Sequence, residues 1–566
     1  MHLRSLSAAL ALGLGLASAP LGPAPAALAV DPAPVQVTIA VPLTVPDGST
    51  ALLTADQLAA YTRPSGTLTR QLEAVADRPV AIGVDPRIIV SIRLLGSTAP
   101  PSATAWLDDL ASATNEVFPL AYADADVTLS TQAGAERVPQ PESLEFAIDP
   151  ALFASEPEQP DPGTTATATP SPTSTTPPVA VPSTVDLFAW PYDVTGLAWP
   201  RDDTVVTADL APIAASGYTA TIVTSGNLAR ASTGGSMASV GESGQLVLMS
   251  DDSISTAFRV AARSTSLDQW DSAIATMLEG VAAAARTQPG TATVFVTLDR
   301  EPLGVVNRLA ETIDALDAAT STANIPLTQT LALPPTGSGI VDMPQPQDRL
   351  SQMGQVLEAE AAERGFATVA DDPSLVTSER RLALLALLSN SWVDALEGWS
   401  EAARTFITES VALRNSVQLV QSSTFSLYAD NGQFLPITVK NDLDQPVTVY
   451  ITVRPSSALL SIRNQPVEVA LEAGVQTKVN VPVQSLSNGV VDIEVTLASV
   501  TGVSLGSPLH TEVNVQAGWE TPVVVVIAIL VLLVFVVGVV RTVLRRRRVV
   551  GAGPDAGTAD PGLADD

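Results

Sequence analysis

The chain contains no cysteine and only two histidines, His2 and His510, among 566 residues. Without cysteine there are no disulfides, so a folded part outside the cell would stand on hydrophobic packing alone. Thiol catalysis and thiolate metal sites are excluded by the same count. The histidines sit near opposite ends of the chain, so no Ser-His-Asp triad, papain-type dyad or His-ligated zinc site can be assembled between them. Lysine is almost as scarce: Lys440 and Lys478 stand against 27 arginines. Neither follows a Ser-x-x or a Gly-x-x-x-x-Gly, which removes serine–lysine acylation and a Walker-type phosphate cradle. No cofactor-binding motif is present. Positive charge is short overall, 29 basic residues against 59 acidic for a net charge of −30. Such a surface repels nucleic acid and anionic headgroups, and nucleic acid is excluded as an expected partner.

Apolar residues are plentiful: 46 % of the chain is hydrophobic and 16 % charged, enough to bury cores in about three to four domains. Both ends carry targeting features. His2 and Arg4 precede the apolar stretch Leu6 to Ala17 and the small-x-small site Ala27-Leu28-Ala29. That order reads as a secretory signal peptide over residues 1–29. Pro20, Pro23 and Pro25 argue against an uncleaved spanning helix. Near the other end, Pro522 to Val540 is an uncharged run that spans about 28 Å as a helix, enough for a bilayer core. Trp519 stands at its outer edge. Arg541, Arg545, Arg546, Arg547 and Arg548 follow it, so the positive-inside rule places a basic, then disordered tail (541–566) in the cytoplasm and the bulk of the chain outside. The expected location is the plasma membrane, with a single pass.

Between the ends, short apolar runs alternate with helical periodicity. Strands are expected at Val37–Val45, Val80–Val84, Val117–Tyr122, Val185–Trp190, Thr219–Thr224, Gln245–Met249, Thr293–Leu298 and Pro326–Leu333. Helices are expected at Thr54–Ala76, Ala103–Asn115, Thr207–Ser216 and Leu267–Arg286. Eight buried strands separated by helices imply a closed or nearly closed (β/α) barrel over residues 35–350, with an open doubly wound sheet as the alternative. A Pro/Thr-rich insertion at 156–184 interrupts it as a disordered, polyproline-like loop, and a Gly/Ser-rich loop spans 231–244. Residues 351–415 read as a helical connector, with Trp392 and Trp399 on one face. From 416 to 517 the pattern changes to period two. Seven short strands, at Ser422–Tyr428, Leu435–Lys440, Pro446–Val453, Val467–Leu471, Gln476–Val483, Val490–Leu497 and His510–Val515, imply an immunoglobulin-like β-sandwich.

Carboxylates are the remaining chemistry. Asp85, Asp124, Asp126, Asp251 and Glu301, together with Asp193, Asp252 and Asp299, fall just past the ends of expected strands, where barrel enzymes place their sites. A carboxylate pair can run glycoside hydrolysis, and carboxylates can also hold Mg²⁺ or Ca²⁺. Aspartate is equally the expected N-cap of the helix that follows a strand, and Asp85-Pro86 has that form. Asp124-x-Asp126 is the most suggestive group. Trp190, Tyr192 and Trp199, clustered after one strand, are candidate platforms for sugar rings, or packing residues.

Several segments carry a resemblance: Ala81-Ile82-Gly83-Val84-Asp85-Pro86, Trp106-Leu107, Tyr122-Ala123-Asp124-Ala125-Asp126, Leu197-Ala198-Trp199-Pro200, Leu435 to Asn441, and Trp519-Glu520-Thr521. In this order the chain resembles an uncharacterised actinobacterial family of exported, single-span envelope proteins, often encoded beside the lipid II flippase of peptidoglycan synthesis. The Arg-for-Lys bias and abundant Ala, Val, Gly and Pro fit such a GC-rich source. The barrel is also distantly similar to polysaccharide deacetylase and glycosidase barrels, but the deacetylase metal site needs two histidines that are absent. The resemblance implies a non-catalytic protein that binds a cell-wall glycan or scaffolds the membrane proteins of peptidoglycan synthesis. A carboxylate-only glycosidase and a pure interaction module are the alternatives.

Overall fold

The computed structural model describes residues 33–154, 181–229, 235–241, 244–288, 290–420, 425–428, 434–516 and 520–549. The expected signal peptide, most of the Pro/Thr-rich insertion, part of the 231–244 loop, Trp519 and the end of the tail lie outside these residues.

Strand β1 (Val35–Leu43) is buried at eight of nine positions, the pattern of a strand covered on both faces. It lies between β2 (Ala81–Val84) and β9 (Thr293–Thr297), both parallel to it. Around them run β3 (Val117–Pro119), β4 (Leu197–Ala198), β5 (Ala220–Thr224), β6 (Leu228–Ala229), β7 (Met237–Val240), β8 (Gln245–Ser250), β10 (Thr322–Asn324) and β11 (Thr336–Ile340). The parallel path is β3-β2-β1-β9-β8-β5-β4. Strands β7, β11 and β6 extend it from β8 as a side branch with two antiparallel pairings.

One face of the curled sheet packs against helices. Val37, Ile39 and Val41 of β1 meet Leu58, Leu72, Ile89, Trp106, Phe258 and Val281 there. On the other face Ala40, Ala81, Phe118, Leu197, Ile222, Leu248 and Phe295 converge from seven strands into one small core. The expected closed barrel does not form among the described residues, because end strands β3 and β4 are not paired. The free edge of β3 is occupied instead by a loop. Asp193 Oδ2 accepts the Val117 N–H at 2.8 Å, and the Asp193 N–H donates to Val117 O at 2.9 Å. Phe118 and Trp199 stack across the gap with centroids 5.9 Å apart.

Two expected strands are helices. Thr184–Phe188 replaces Val185–Trp190, because Ser183 and Asp186 close a reciprocal capping box that satisfies the first orphan N–H groups of a helix. Leu327–Leu331 replaces Pro326–Leu333 after the short β10. Its first N–H groups, of Leu327 and Thr328, are accepted by the Glu116 carboxylate. The expected helix Thr54–Ala76 is two, Ala55–Thr62 and Thr67–Val75, parted at Pro64. Strands β4, β6, β7, β10 and β11 lie outside every expected strand, and β7 forms within the expected 231–244 loop, where it pairs with β8.

Residues 347–414 form three helices, Gln347–Ala367, Pro373–Leu387 and Leu396–Arg414. They share a core of Met353, Val356, Leu382, Leu385, Trp399 and Phe406 with Tyr122 and Leu129 from the α/β part. Two sheets follow. One is β12 (Val417–Val420), β14 (Phe434–Asn441), β18 (Gln476–Ser485) and β16 (Leu460–Ile462). The other is β13 (Phe425–Tyr428), β20 (Ser504–Gln516), β19 (Gly489–Ala498), β15 (Val447–Pro455) and β17 (Val467–Leu471). Alternate residues of β14, β15 and β19 are buried and meet in one core, which makes a β-sandwich. Among the described residues the count is nine strands where seven are expected, since β12 follows a helix directly and β16 is only three residues long.

The last helix is Glu520–Val549. Within it Val523–Arg546 is long and apolar enough to cross a membrane: an 18-residue stretch of it has mean hydropathy 3.7, and none of that stretch is buried against the rest of the chain. Arg541, Arg545 and Arg546 are exposed at its end, and Arg547 and Arg548 continue it.

Candidate functional site

A cleft of about 480 Å³ opens at the C-terminal ends of the parallel strands. In an α/β sheet this edge is where backbone ends and loop side chains converge on a ligand. Its walls are Thr44 to Pro46 after β1, Asp124 after β3, Arg201 and Asp202 after β4, and Asp299 to Pro302 after β9. Thr67, Gln71 and Arg259 come from covering helices. The connector closes one side with the turn Asn390–Asp394.

The floor of the cleft at Asp124 is carried by the segment Tyr122 to Asp126, whose other residues lie outside the cleft lining. Ala123 and Asp124 both have left-handed backbone, with φ of 60° and 47°, a conformation that costs a non-glycine residue roughly 1–2 kcal/mol. Three contacts hold it. Asp85 Oδ1 accepts the Ala123 N–H at 2.8 Å, Asn390 Nδ2 donates to Asp124 O at 2.9 Å, and Leu388 O accepts the Asp126 N–H at 2.7 Å. Two of these come from the connector, so the floor is shaped jointly by the α/β part and the helices.

The twist sends the two floor carboxylates apart. Asp124 faces the cleft and is gripped by Arg300, whose Nε and Nη2 lie 3.0–3.2 Å from its oxygens. Arg300 also donates to Trp199 O at 2.8 Å and lies 4.7 Å from the Trp199 ring centre. Burial pushes the Asp124 carboxyl above its usual range, and the Arg300 guanidinium opposes it. Asp126 is fully buried and N-caps Val127–Gln132, accepting the Thr128 and Leu129 N–H groups at 3.1 and 3.2 Å. Its second oxygen accepts Gln345 Nε2 at 2.7 Å.

The other sequence candidates take separate places. Asp85 is fully buried and N-caps Pro86–Leu94, accepting the Arg87 N–H at 2.9 Å and pairing with Arg87 Nε at 3.3 Å. Burial raises its pKa to about 6, against the pull of Arg87. Asp251 N-caps Asp252–Arg263. Glu301 lies on the cleft rim, exposed, 3.5 Å from Arg263. Of the five candidate carboxylates, Asp124 and Glu301 line the cleft; Asp85, Asp126 and Asp251 each cap a helix. The three aromatics do not form one platform. Trp199 is buried beneath Arg300, whereas Trp190 and Tyr192 pack against the helix-covered core, with Arg93 over the Trp190 ring.

Sequence reasoning missed the cations. Arg259 pairs with Asp202 at 2.7 Å and donates to Thr297 O at 3.0 Å. Arg263 pairs with Asp299 and donates to Glu301 O at 2.9 Å. Arg300 stands between two counted acids, Asp299 and Glu301, and that alternation was the available signal. Nothing in the sequence marks Asn390. No group of three His, Asp or Glu able to hold a metal ion occurs among the described residues.

Comparison with solved structures finds likenesses to parts of the chain. One is a Caenorhabditis elegans member of the MSP family, 14 % identical over 18 % of this chain and 99 % of that chain, with a TM-score of 0.14. Another is trypsin-activated alpha-2-macroglobulin of Escherichia coli, 21 % identical over 17 % of this chain and 7 % of that one, TM-score 0.14. A third is the E. coli chaperone DraB, 18 % identical over 18 % of this chain and 56 % of that one, TM-score 0.14. No curated protein matches. Residues 24–556 match a family described as being of unknown function, and the chain belongs to that family, DUF6049.

Proposed function

We propose that this is a membrane-anchored protein of the cell envelope whose strand-end cleft binds a cell-wall glycan without transforming it. The observation that carries the reading is the engagement of three of the five acids that line the cleft, the other two, Glu301 and Asp394, lying exposed at its rim. Asp124 is held in a forked pair by Arg300, Asp202 by Arg259, and Asp299 by Arg263. A glycosidase needs one carboxyl free to protonate the leaving oxygen and another free to attack or activate water. A binding cleft needs only fixed donors and acceptors, which such pairs supply. The one helix among the described residues that is long and apolar enough to span a bilayer supports the anchor, and the arginines that follow it favour a cytoplasmic C-terminus with the folded part outside. The resemblance to actinobacterial envelope proteins supplies the glycan class, and the anchor would set the cleft near the membrane proteins of peptidoglycan synthesis.

The test is retention of the purified protein on insoluble peptidoglycan or arabinogalactan, against a heat-denatured control. Retention of the folded protein above the control is expected. Equal retention of the two sinks the glycan reading.

A further inference from the structure

We propose that the ligand of the cleft is a saccharide bearing a carboxylate, which pairs with Arg201, while a hydroxyl or amide N–H of the same ligand donates to Asn390 Oδ1. This rests on the binding reading above and names its ligand class. Three guanidiniums line the cleft. Arg300 and Arg259 are committed to Asp124 and Asp202. Arg201, half-buried between Pro200 and Asp202, is the one whose guanidinium has no hydrogen bond or ion pair among the described residues.

Its surroundings favour an incoming anion. Arg349, 5 % exposed, leaves Nε and Nη2 without partners and lies 5.4 Å from the Trp399 ring centre. Burial holds the Arg349 pKa down, Asp126 opposes this, and the like charge of Arg201 adds to it. A negative group beside Arg201 relieves that repulsion. A guanidinium fork matches a carboxylate in plane and spacing. A doubly charged phosphate suits the site less, because Asp124, Asp202, Asp299, Glu301 and Asp394 line the same walls and repel each added charge.

Asn390 argues for a ligand with donors of its own. It lines the cleft, is 5 % exposed, and its Oδ1 has no partner. The bond from Nδ2 to Asp124 O fixes the amide orientation, since flipping it would set two oxygens against each other. The oxygen is closed to solvent in the free protein, so a ligand hydroxyl or N–H reaches it only with a shift of the turn Asn390–Asp394, and then satisfies an acceptor otherwise left unpaired. Saccharides carry such groups, whereas a bare anion does not.

The experiment uses the full-length protein in nanodiscs and isothermal titration with two probes. These are chitobiose and the same disaccharide carrying a 3-O-lactyl carboxylate. The acidic probe is expected to bind about tenfold tighter, with the preference falling as salt rises. R201Q is expected to bring the two affinities together, and R201K to restore part of the gap. Equal affinities in the unsubstituted protein, or an undiminished preference in R201Q, overturn the assignment of Arg201 and leave wall retention untouched. Failure of both disaccharides to bind also overturns it. If retention on the wall fails as well, the binding reading falls with it.

Discussion

Asp124 and Arg300, 176 positions apart in the chain, form a forked ion pair in which the guanidinium also covers the Trp199 ring. The pair joins the loop after β3 to the loop after β9 across the cleft. Asp124 is 4 % exposed, so removing its partner strands a nearly buried charge. Breaking one side of such a pair costs about 3–5 kcal/mol. R300A is expected to lose that much in urea denaturation of the detergent-solubilised protein. The double variant D124L/R300M, which removes both charges, is expected to lose clearly less. If the double variant loses the sum of the single losses, the pair is not coupled.

Asp85 gives the stability a pH dependence. Its folded pKa is raised by burial from 3.8 to about 6, so the folded chain binds this proton more tightly than the unfolded chain. Stability from this group is therefore greatest below about pH 4, and it falls as pH rises to about 6. The size is at most about 3 kcal/mol for a shift of some two units. D85N keeps an oxygen for the Arg87 and Ala123 N–H groups but cannot titrate. Between pH 4.5 and 6.5 the urea midpoint is expected to fall more steeply in the unsubstituted protein than in D85N. Parallel profiles refute the assignment.

Asn441, fully buried between β14 and β15, ties three backbone groups together. Its Nδ2 donates to Gln445 O and Glu472 O, both at 2.9 Å, and its Oδ1 accepts the Leu443 N–H at 3.0 Å. N441A leaves these groups without that partner and is expected to cost the sandwich about 2–4 kcal/mol. Hydrogen exchange localises the effect: faster exchange is expected in β14, β15 and β17, with the α/β part unchanged. Uniform acceleration everywhere contradicts the local account.

The absence of cysteine makes the topology directly measurable. A473C, on an exposed turn of the sandwich, is expected to react with a membrane-impermeant maleimide on intact spheroplasts. A556C, in the tail, is expected to react only after lysis. The opposite pattern reverses the orientation and removes the envelope role.

How much was legible follows from the range of the forces. Period-two alternation placed seven sandwich strands, because burial on one face is written into neighbouring residues. The strand Val185–Trp190 failed because Ser183 and Asp186 cap a helix there, a local signal outvoted by five apolar residues. The expected strand Pro326–Leu333 failed for a different reason: the helix Leu327–Leu331 that replaces it is capped by Glu116, 211 positions away. Barrel closure was equally out of reach, since it turns on Asp193 taking the free edge of β3.

By itself the sequence determined the excluded chemistries, the apolar C-terminal helix with its arginines, and the succession of α/β, helical and β-sandwich parts. Those follow from composition and from periodicities of a few residues, which the local chain alone sets. Only the tertiary structure decided which acids are caps and which line the cleft, that Asp124 is neutralised by Arg300, and that Arg201 stands without a partner among the described residues. Such outcomes depend on which distant charges share one buried volume, and only the folded packing brings those charges together.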